Sequence, residues 1–118
     1  MRRLAIAVAA CAALIGPAAA VDVGGNYTVY GKNFDGSEYT GTATITFIND
    51  LSCVIEWVSG PNTSNGICMK NGNMFAAAYQ QQGLFGILSY QILDDGALDG
   101  AWTVAGQDGY GVEKLTPQ

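Results

Sequence analysis

Few side chains in this sequence could carry out chemistry, and their types exclude several mechanisms. The sequence has no histidine, which removes the commonest general base and metal ligand and excludes triads of the Ser-His-Asp or Cys-His kind. Cys53 and Cys68 are too far apart to form a CxxC motif, so neither a zinc site nor a redox motif fits them. We therefore expect no metal and no cofactor.

Two glutamates are the candidates for acid–base chemistry. Paired carboxylates hydrolyse glycosides, and Glu56 and Glu113 could act together if the fold brought them close. Charged residues on strands usually face solvent, so we expect no enzymatic activity and keep a carboxylate-based hydrolase as the remotest hypothesis. The run Asp94-Asp95-Gly96 lacks the spacing of a helix–loop–helix calcium site, and a turn explains it fully.

Aromatic side chains are the main candidates for binding. They could line the interior or mouth of a barrel, as in eight-stranded barrels that hold one small molecule. The competing interpretation is that they fill a core just wide enough for side chains, and we favour it because the strands are short. The predicted binding residues are Tyr27, Trp57, Tyr79, Tyr90 and Trp102, with Tyr30 and Tyr39 as further aromatic candidates.

The first 20 residues have the order of a secretory signal peptide. A positive start at residues 1–3 precedes an apolar run at residues 4–15, and we place cleavage after Ala20. The run is shorter than the roughly 20 residues of a membrane-spanning helix. The alternative is a lipoprotein acylated at Cys11, because Val8-Ala9-Ala10-Cys11 resembles a lipobox. We expect an exported protein, periplasmic or secreted.

The predicted mature chain, residues 21–118, is one acidic domain. It keeps Lys32, Lys70 and Lys114 against ten Asp and Glu residues, a net charge of 3 − 10 = −7. This charge repels phosphate backbones and anionic lipid, so we expect no nucleic acid as a partner and no membrane span in the mature chain. We attribute the charge to solubility.

The pattern of the mature chain is that of short β-strands. Glycine-containing turn signals recur every 8 to 15 residues, and the segments between them are rich in Thr, Tyr, Val, Ile and Phe, which is typical of a sandwich or barrel. The sequence therefore predicts an all-β fold, a small eight-stranded antiparallel up-and-down meander barrel. Its strands are expected at residues 26–33, 37–48, 52–59, 63–70, 73–80, 84–93, 97–105 and 110–116.

Two hairpins predict which residues share the interior. Three-residue loops ending in a left-handed Gly36 or Gly96 place large rings opposite small residues, as a narrow interior requires. The predicted pairs are Tyr27 with Ala43, Val29 with Gly41, Leu88 with Trp102, Tyr90 with Gly100 and Ile92 with Leu98. If the first and last strands failed to close the barrel, their open edges would favour a dimer.

A hairpin at Gly60-Pro61 places Cys53 and Cys68 directly opposite each other, within the range that a disulfide accepts. An even pair of cysteines in an exported protein is most often a disulfide. Its face depends on the turn at Gly72, because a three-residue loop turns Cys68 outwards and a two-residue turn turns it inwards. We favour an outward-facing disulfide, with Trp57 on the same face.

Two blocks of strand and turn residues in the mature chain form a recognisable pattern. They are Gly25, Tyr27, Val29, Gly31, Asn33, Asp35-Gly36-Ser37, Tyr39, Gly41 and Ile45-Thr46, then Tyr90, Asp95-Gly96, Leu98, Gly100, Trp102, Gly109, Gly111, Glu113 and Leu115-Thr116-Pro117. In these residues the chain resembles a family of small exported proteobacterial proteins that commonly carry the label "fibronectin-binding protein". The likeness covers most of the mature chain, although the cysteine pair and Gln80-Gln81-Gln82 depart from the family pattern. The resemblance implies a β-barrel, and the label implies an adhesin.

These observations favour an exported, disulfide-linked, non-catalytic binding or interaction module, adhesin-like through the resemblance. Its expected partner is an extracellular-matrix or cell-envelope protein. The alternative is a lipocalin- or avidin-like barrel that binds a small hydrophobic ligand. A filled interior would favour the first hypothesis and an open one the second.

Overall fold

The computed structural model describes residues 22–118 as a closed barrel of eight antiparallel strands. Each strand pairs with the next in the sequence, and β1 also pairs with β8. The all-β meander barrel is therefore confirmed, and every predicted strand boundary lies within one residue of the observed one. The strands are β1 (Gly25–Lys32), β2 (Glu38–Phe47), β3 (Ser52–Ser59), β4 (Asn62–Asn71), β5 (Met74–Gln81), β6 (Leu84–Ile92), β7 (Leu98–Val104) and β8 (Gly111–Pro117).

The predicted signal peptide at residues 1–20, its cleavage after Ala20 and the alternative lipoprotein cysteine Cys11 lie outside the described residues. They stay predictions. Within residues 22–118, no helix has the length and apolar character needed to cross a membrane.

Closure of the barrel depends on the pairing of β1 with β8, which runs from Tyr27 opposite Pro117 to Lys32 opposite Val112. Every strand of the described chain therefore has a neighbour on both sides. An edge-to-edge dimer, the consequence expected of an open sheet, has no free edge to use here.

Period-two alternation separates the barrel interior from solvent. In β1, Tyr27 and Val29 are buried while Thr28 and Tyr30 are exposed. The predicted cross-strand pairs are all observed, and Gly36 and Gly96 both adopt positive φ, of 85° and 87°. The hairpin geometry that places large rings opposite small residues is therefore confirmed.

One end of the barrel is filled by side chains. The apolar residues at this end come from nearly every strand, so that burial of one stabilises the others. The largest side chains that are fully buried are Tyr27, Cys53, Phe75, Tyr90, Leu98 and Leu115.

The disulfide lies inside the barrel, so the outward-facing disulfide that we favoured is wrong. Cys53 and Cys68 form the predicted cross-strand pair, with their Cα atoms 4.9 Å apart, and they are only 1% and 5% exposed. Trp57 shares the face of Cys53 and is likewise buried. The disulfide therefore belongs to the core of the filled end.

The disulfide faces inwards because of the position of the turn between β4 and β5. Asn71 pairs with Met74 around a two-residue turn that begins at Gly72, whose φ is 62°. This turn begins one residue after the two-residue turn at Asn71-Gly72 and two residues after the three-residue loop at Lys70-Asn71-Gly72 that we considered. Because its length is even, Cys68 pairs with Ala77 on the buried face, which also holds Phe75.

Reduction of the Cys53–Cys68 disulfide should lower the free energy of unfolding by about 3 kcal/mol, because the crosslink no longer restricts the unfolded chain. The measurement is urea denaturation with and without dithiothreitol. A double Cys53→Ala, Cys68→Ala variant is the control, since its stability should not respond to the reductant. Equal stability of the oxidised and reduced wild-type proteins would contradict the prediction.

Candidate functional site

A cavity of about 220 Å³ opens at the end of the barrel opposite the disulfide. It reaches the last residues of β3 and the first residues of β4, whereas Cys53 begins β3 and Cys68 is near the end of β4. We call this cavity and the side chains that line it the cup. The filled core that we favoured is therefore found in only one half of the barrel. The side chains of the cup that matter most below are Tyr39, Trp57, Ser64, Tyr79, Trp102 and Glu113.

Three rings of the cup each cover a glycine on the neighbouring strand. A Cβ atom added at any of these glycines would lie within 2.3 Å of the ring, so only glycine permits such contact. Because the rings lie against the wall over glycine, they leave space at the centre of the barrel. The ring–glycine pairs are Tyr39 with Gly31, Tyr79 with Gly86 and Trp102 with Gly111.

The carboxylate of Glu113 is buried in the wall of the cup, where the side chain is 5% exposed. The Tyr39 hydroxyl donates to its Oε1 atom over 2.7 Å. The Trp57 indole N–H donates to Oε2 over 3.0 Å, and the Tyr90 hydroxyl donates to Oε2 as well. One carboxylate on β8 thereby connects side chains from β2, β3 and β6 across the interior.

Burial decides the protonation behaviour of this cluster. It raises the pKa of Glu113, and the hydrogen bonds from Tyr90, Tyr39 and Trp57 oppose that increase in part. Burial, followed by the charge of Glu113, also raises the pKa of Tyr39 and of Tyr90, and raises the pKa of Tyr79 to about 12. The phenols therefore stay protonated at neutral pH and can act as donors to the carboxylate.

Trp102 completes the aromatic wall. Its ring packs 5.0 Å from the ring of Phe34, in the loop between β1 and β2, and contacts Tyr39 edge-on at 6.3 Å. Its indole N–H is buried and has no hydrogen-bond partner within residues 22–118. Trp102 also offsets part of the rise in the pKa of Tyr39.

The cup contains three of the five predicted binding residues. Trp57, Tyr79 and Trp102 line it. Tyr90 lies beneath it and contributes through its bond to Glu113. Tyr27 belongs to the filled end, where its hydroxyl accepts a hydrogen bond from the backbone N–H of Gly24 at 2.7 Å.

Glu56 and Glu113 do not form the carboxylate pair that a hydrolase would need. Glu56 is exposed on the outer face of β3, whereas Glu113 points into the barrel. Strand alternation separates them, and no relaxation of a side chain can bring them together. Glu113 was expected to be a catalytic candidate and a residue of the family resemblance, and its place in the wall of the cup was not predicted. A usable sequence signal was its alternation with Leu115 in the predicted last strand, which indicates an inward-facing position.

The acidic run Asp94-Asp95-Gly96 forms the turn between β6 and β7. The Asp95 carboxylate accepts a hydrogen bond from the backbone N–H of Ala97 at 3.0 Å. This contact is the usual role of aspartate in a turn. Residues 22–118 bring together no group of three or more His, Cys, Asp and Glu side chains that could hold a metal ion.

The raised pKa of Glu113 predicts a pH dependence of stability. Its folded pKa lies above the unfolded value, so its contribution to the free energy of unfolding is complete below about pH 4 and is lost as pH rises through the folded pKa. The groups that face it, Tyr39, Trp57, Tyr79 and Tyr90, are neutral throughout this range. We expect the Glu113→Gln variant to gain stability relative to the wild type between pH 4 and pH 8.

Urea denaturation of the wild type and of Glu113→Gln between pH 4 and pH 8 measures the difference in their free energies of unfolding. Other carboxylates, such as Asp35, with a pKa lowered by its hydrogen bonds to Ser37, titrate in both proteins and cancel. A difference that stays constant, or that moves in favour of the wild type as pH rises, would contradict the prediction.

Comparison with known proteins identifies the architecture. No protein-family model and no curated protein matches the chain. Among solved structures, the redesigned β-barrel b11L5F_LGL has a TM-score of 0.69 at 15% identity, covering 81% of this chain and 91% of its own. The redesigned β-barrel mFAP1 bound to DFHBI has a TM-score of 0.69 at 14% identity, covering 80% and 94%.

A single-site mutant of the fluorescent protein UnaG is a more distant match, with a TM-score of 0.52 at 13% identity, covering 80% of this chain and 94% of its own. Likenesses at such low identity carry information on the fold and not on the ligand. The chain therefore has the fold of a small, closed β-barrel that is shared by designed barrels and by UnaG.

Proposed function

We propose that this protein binds a small, largely planar molecule in the cup and catalyses no reaction on it. The observation that carries the proposal is the cavity of about 220 Å³ walled by Trp57, Tyr79 and Trp102. Concave sites lined by aromatic side chains with a few polar groups are typical of small-molecule binding. The proposal corresponds to the alternative of a ligand-binding barrel, and the cup favours it over an interaction module with a filled core.

The size of the cavity limits the ligand. An engineered protein cavity of roughly 150 Å³ holds benzene, so the cup has room for a molecule of one or two rings. The bound DFHBI in the similar barrel mFAP1 supports such a role for this architecture. The disulfide supports action in an oxidising, exported location. A matrix-protein partner rests on the family resemblance alone.

A cavity-filling variant tests the proposal. The probe is 2-naphthol, a neutral two-ring fluorophore whose emission reports on its surroundings. Ser64 is buried and lines the cup, so Ser64→Leu should occupy the space and weaken binding at least about tenfold, because a filled cavity cannot admit the ring. The adjacent Thr63 is exposed on the outer face, and Thr63→Leu is the matched control.

We expect Thr63→Leu to bind 2-naphthol within about twofold of the wild type. Circular dichroism and thermal denaturation establish that both variants are folded. Equal binding of 2-naphthol by Ser64→Leu and the wild type would overturn the proposed function.

A further inference from the structure

Among the described residues, Glu113 is the only charged side chain that lines the cup. The other polar groups there are neutral amides and hydroxyls, together with Tyr39 and Tyr79. They could orient a ligand through hydrogen bonds but cannot balance a charge. The neutral aliphatic polar residues are Asn33, Thr42, Ser59, Asn62, Ser64 and Gln81.

No lysine of residues 22–118 lies beside this carboxylate to act as its counter-ion. Lys32 and Lys114 are exposed and alternate with the inward positions of β1 and β8. Lys70 lies near the far end of β4, beyond Cys68, while the cup is reached by the first residues of that strand. Burying a carboxylate is costly unless it is paired, and the described residues give Glu113 three neutral hydrogen-bond donors but no positively charged partner.

The carboxylate has room for another donor. A carboxylate oxygen has two lone-pair directions, and Oε1 accepts one hydrogen bond, from Tyr39, whereas Oε2 accepts two. Both Tyr39 and Trp57 line the cavity while they bond to the carboxylate. The charge of Glu113 is therefore presented at the wall of the cavity.

The aromatic wall also favours a positively charged ligand. The faces of tryptophan and tyrosine rings attract cations, and this attraction strengthens where water is excluded. Trp57 and Tyr79 contact each other edge-on, with ring centroids 5.5 Å apart, and Trp102 lines the cavity with them. The net negative charge of the described chain adds attraction at longer range.

We infer that the cup selects a planar molecule carrying a positively charged nitrogen group, of the amidinium or aromatic ammonium kind, and rejects carboxylates. The charged group lies toward Glu113, and the ring lies among Trp57, Tyr79 and Trp102. This inference rests on the proposed function and specifies its ligand class. A carboxylate ligand would instead place two like charges together in a partly dehydrated site.

Three planar probes of nearly identical shape test the charge. They are benzamidinium, benzamide and benzoate, which are positive, neutral and negative at pH 7. Titration calorimetry or amide NMR shifts measure each Kd. We expect benzamidinium to bind the wild type at least about tenfold more tightly than benzamide, and benzoate to bind at least about tenfold more weakly than benzamide, because a partly buried charge pair is screened little by solvent.

Two variants with the same change in net charge separate a specific effect from a general one. Glu113→Gln removes the charge of the cup, and the benzamidinium preference should fall to within about twofold of benzamide. Glu56→Gln removes a charge from the outer face and should preserve the preference. A preference that survives Glu113→Gln, or is lost equally in Glu56→Gln, overturns the inference.

The outcomes also separate this inference from the proposed function. If benzamide or 2-naphthol binds in the cup while benzamidinium binds no more tightly than benzamide, the charge selection is wrong and the binding function stands. If benzoate binds most tightly, the inference is likewise overturned. If none of the three probes nor 2-naphthol binds, both proposals fail.

Discussion

Replacing Glu113 with leucine should lower the free energy of unfolding by about 3–5 kcal/mol, although it replaces a buried charge with an apolar side chain. Removing one member of a buried polar cluster leaves its partners unpaired. Here the Trp57 indole and the Tyr90 hydroxyl lose their acceptor in a buried site. Tyr39 also loses its acceptor, but it is only partly buried. Each buried donor without a partner costs about 1–3 kcal/mol.

Glu113→Gln removes the charge of the side chain but keeps its hydrogen bonds. The glutamine amide oxygen can accept from Trp57 and Tyr90, and its NH₂ can donate to the oxygen of Tyr39, so all three partners are retained. We expect this variant to be at least as stable as the wild type at pH 7, because it avoids the cost of burying a charge.

Urea denaturation of the two variants measures the contrast, with Glu56→Leu on the outer face as the control for a glutamate-to-leucine change. The control should lie within about 0.5 kcal/mol of the wild type. If Glu113→Leu were as stable as Glu113→Gln, the hydrogen-bonded cluster would have no net role in stability.

Gly100→Ala should prevent the barrel from forming its native β6–β7 pairing and lower the free energy of unfolding by at least about 3 kcal/mol. A Cβ atom at Gly100 would lie 2.0 Å from the carbonyl oxygen of Ser89 on β6. That oxygen belongs to the backbone, so the clash can be relieved only by moving a strand. Overpacking costs up to about 3 kcal/mol even where side chains can adjust.

The position of Gly100 explains why the effect should spread. It pairs with Tyr90 on one side and with Glu113 on the other, so displacement of β7 disturbs both partners of one buried hydrogen bond. Thermal denaturation followed by circular dichroism measures the loss. A Gly100→Ala protein with the thermal midpoint of the wild type would show that the close approach of the strands is not required.

Gly86→Ala is the matched comparison, because the obstacle there is a side chain. The added Cβ atom would lie 2.1 Å from the ring of Tyr79, and the ring can swing into the cup. We expect a loss of about 1–2 kcal/mol with the barrel intact, together with weaker binding of 2-naphthol. The contrast between the two variants distinguishes a glycine that shapes the barrel from one that shapes the cup.

The strands, their order and three of the four hairpin registers that we predicted could be derived from the sequence alone. Alternation in β2, the loops ending in Gly36 and Gly96 and the symmetric cysteines each involve neighbouring segments of chain, and a hairpin converts such local spacing directly into register. The turn at Gly72 was the exception. Loops of two and of three residues both fit the local sequence, and burial of Cys68 on the face of Phe75 excludes the three-residue loop.

The cup could be predicted only in part, since Trp57, Tyr79 and Trp102 were expected to be binding candidates but the space between them was not expected. A cavity is the small difference between the volume enclosed by eight strands and the volume of the side chains inside, and no local pattern reports that difference. The sequence determined that Tyr39, Tyr90 and Trp102 face inwards, whereas the face of Trp57 was predicted wrongly. The tertiary structure decided that rings of the cup lie over glycines on neighbouring strands and that Glu113 meets Tyr39, Trp57 and Tyr90, because these contacts join strands distant in the sequence.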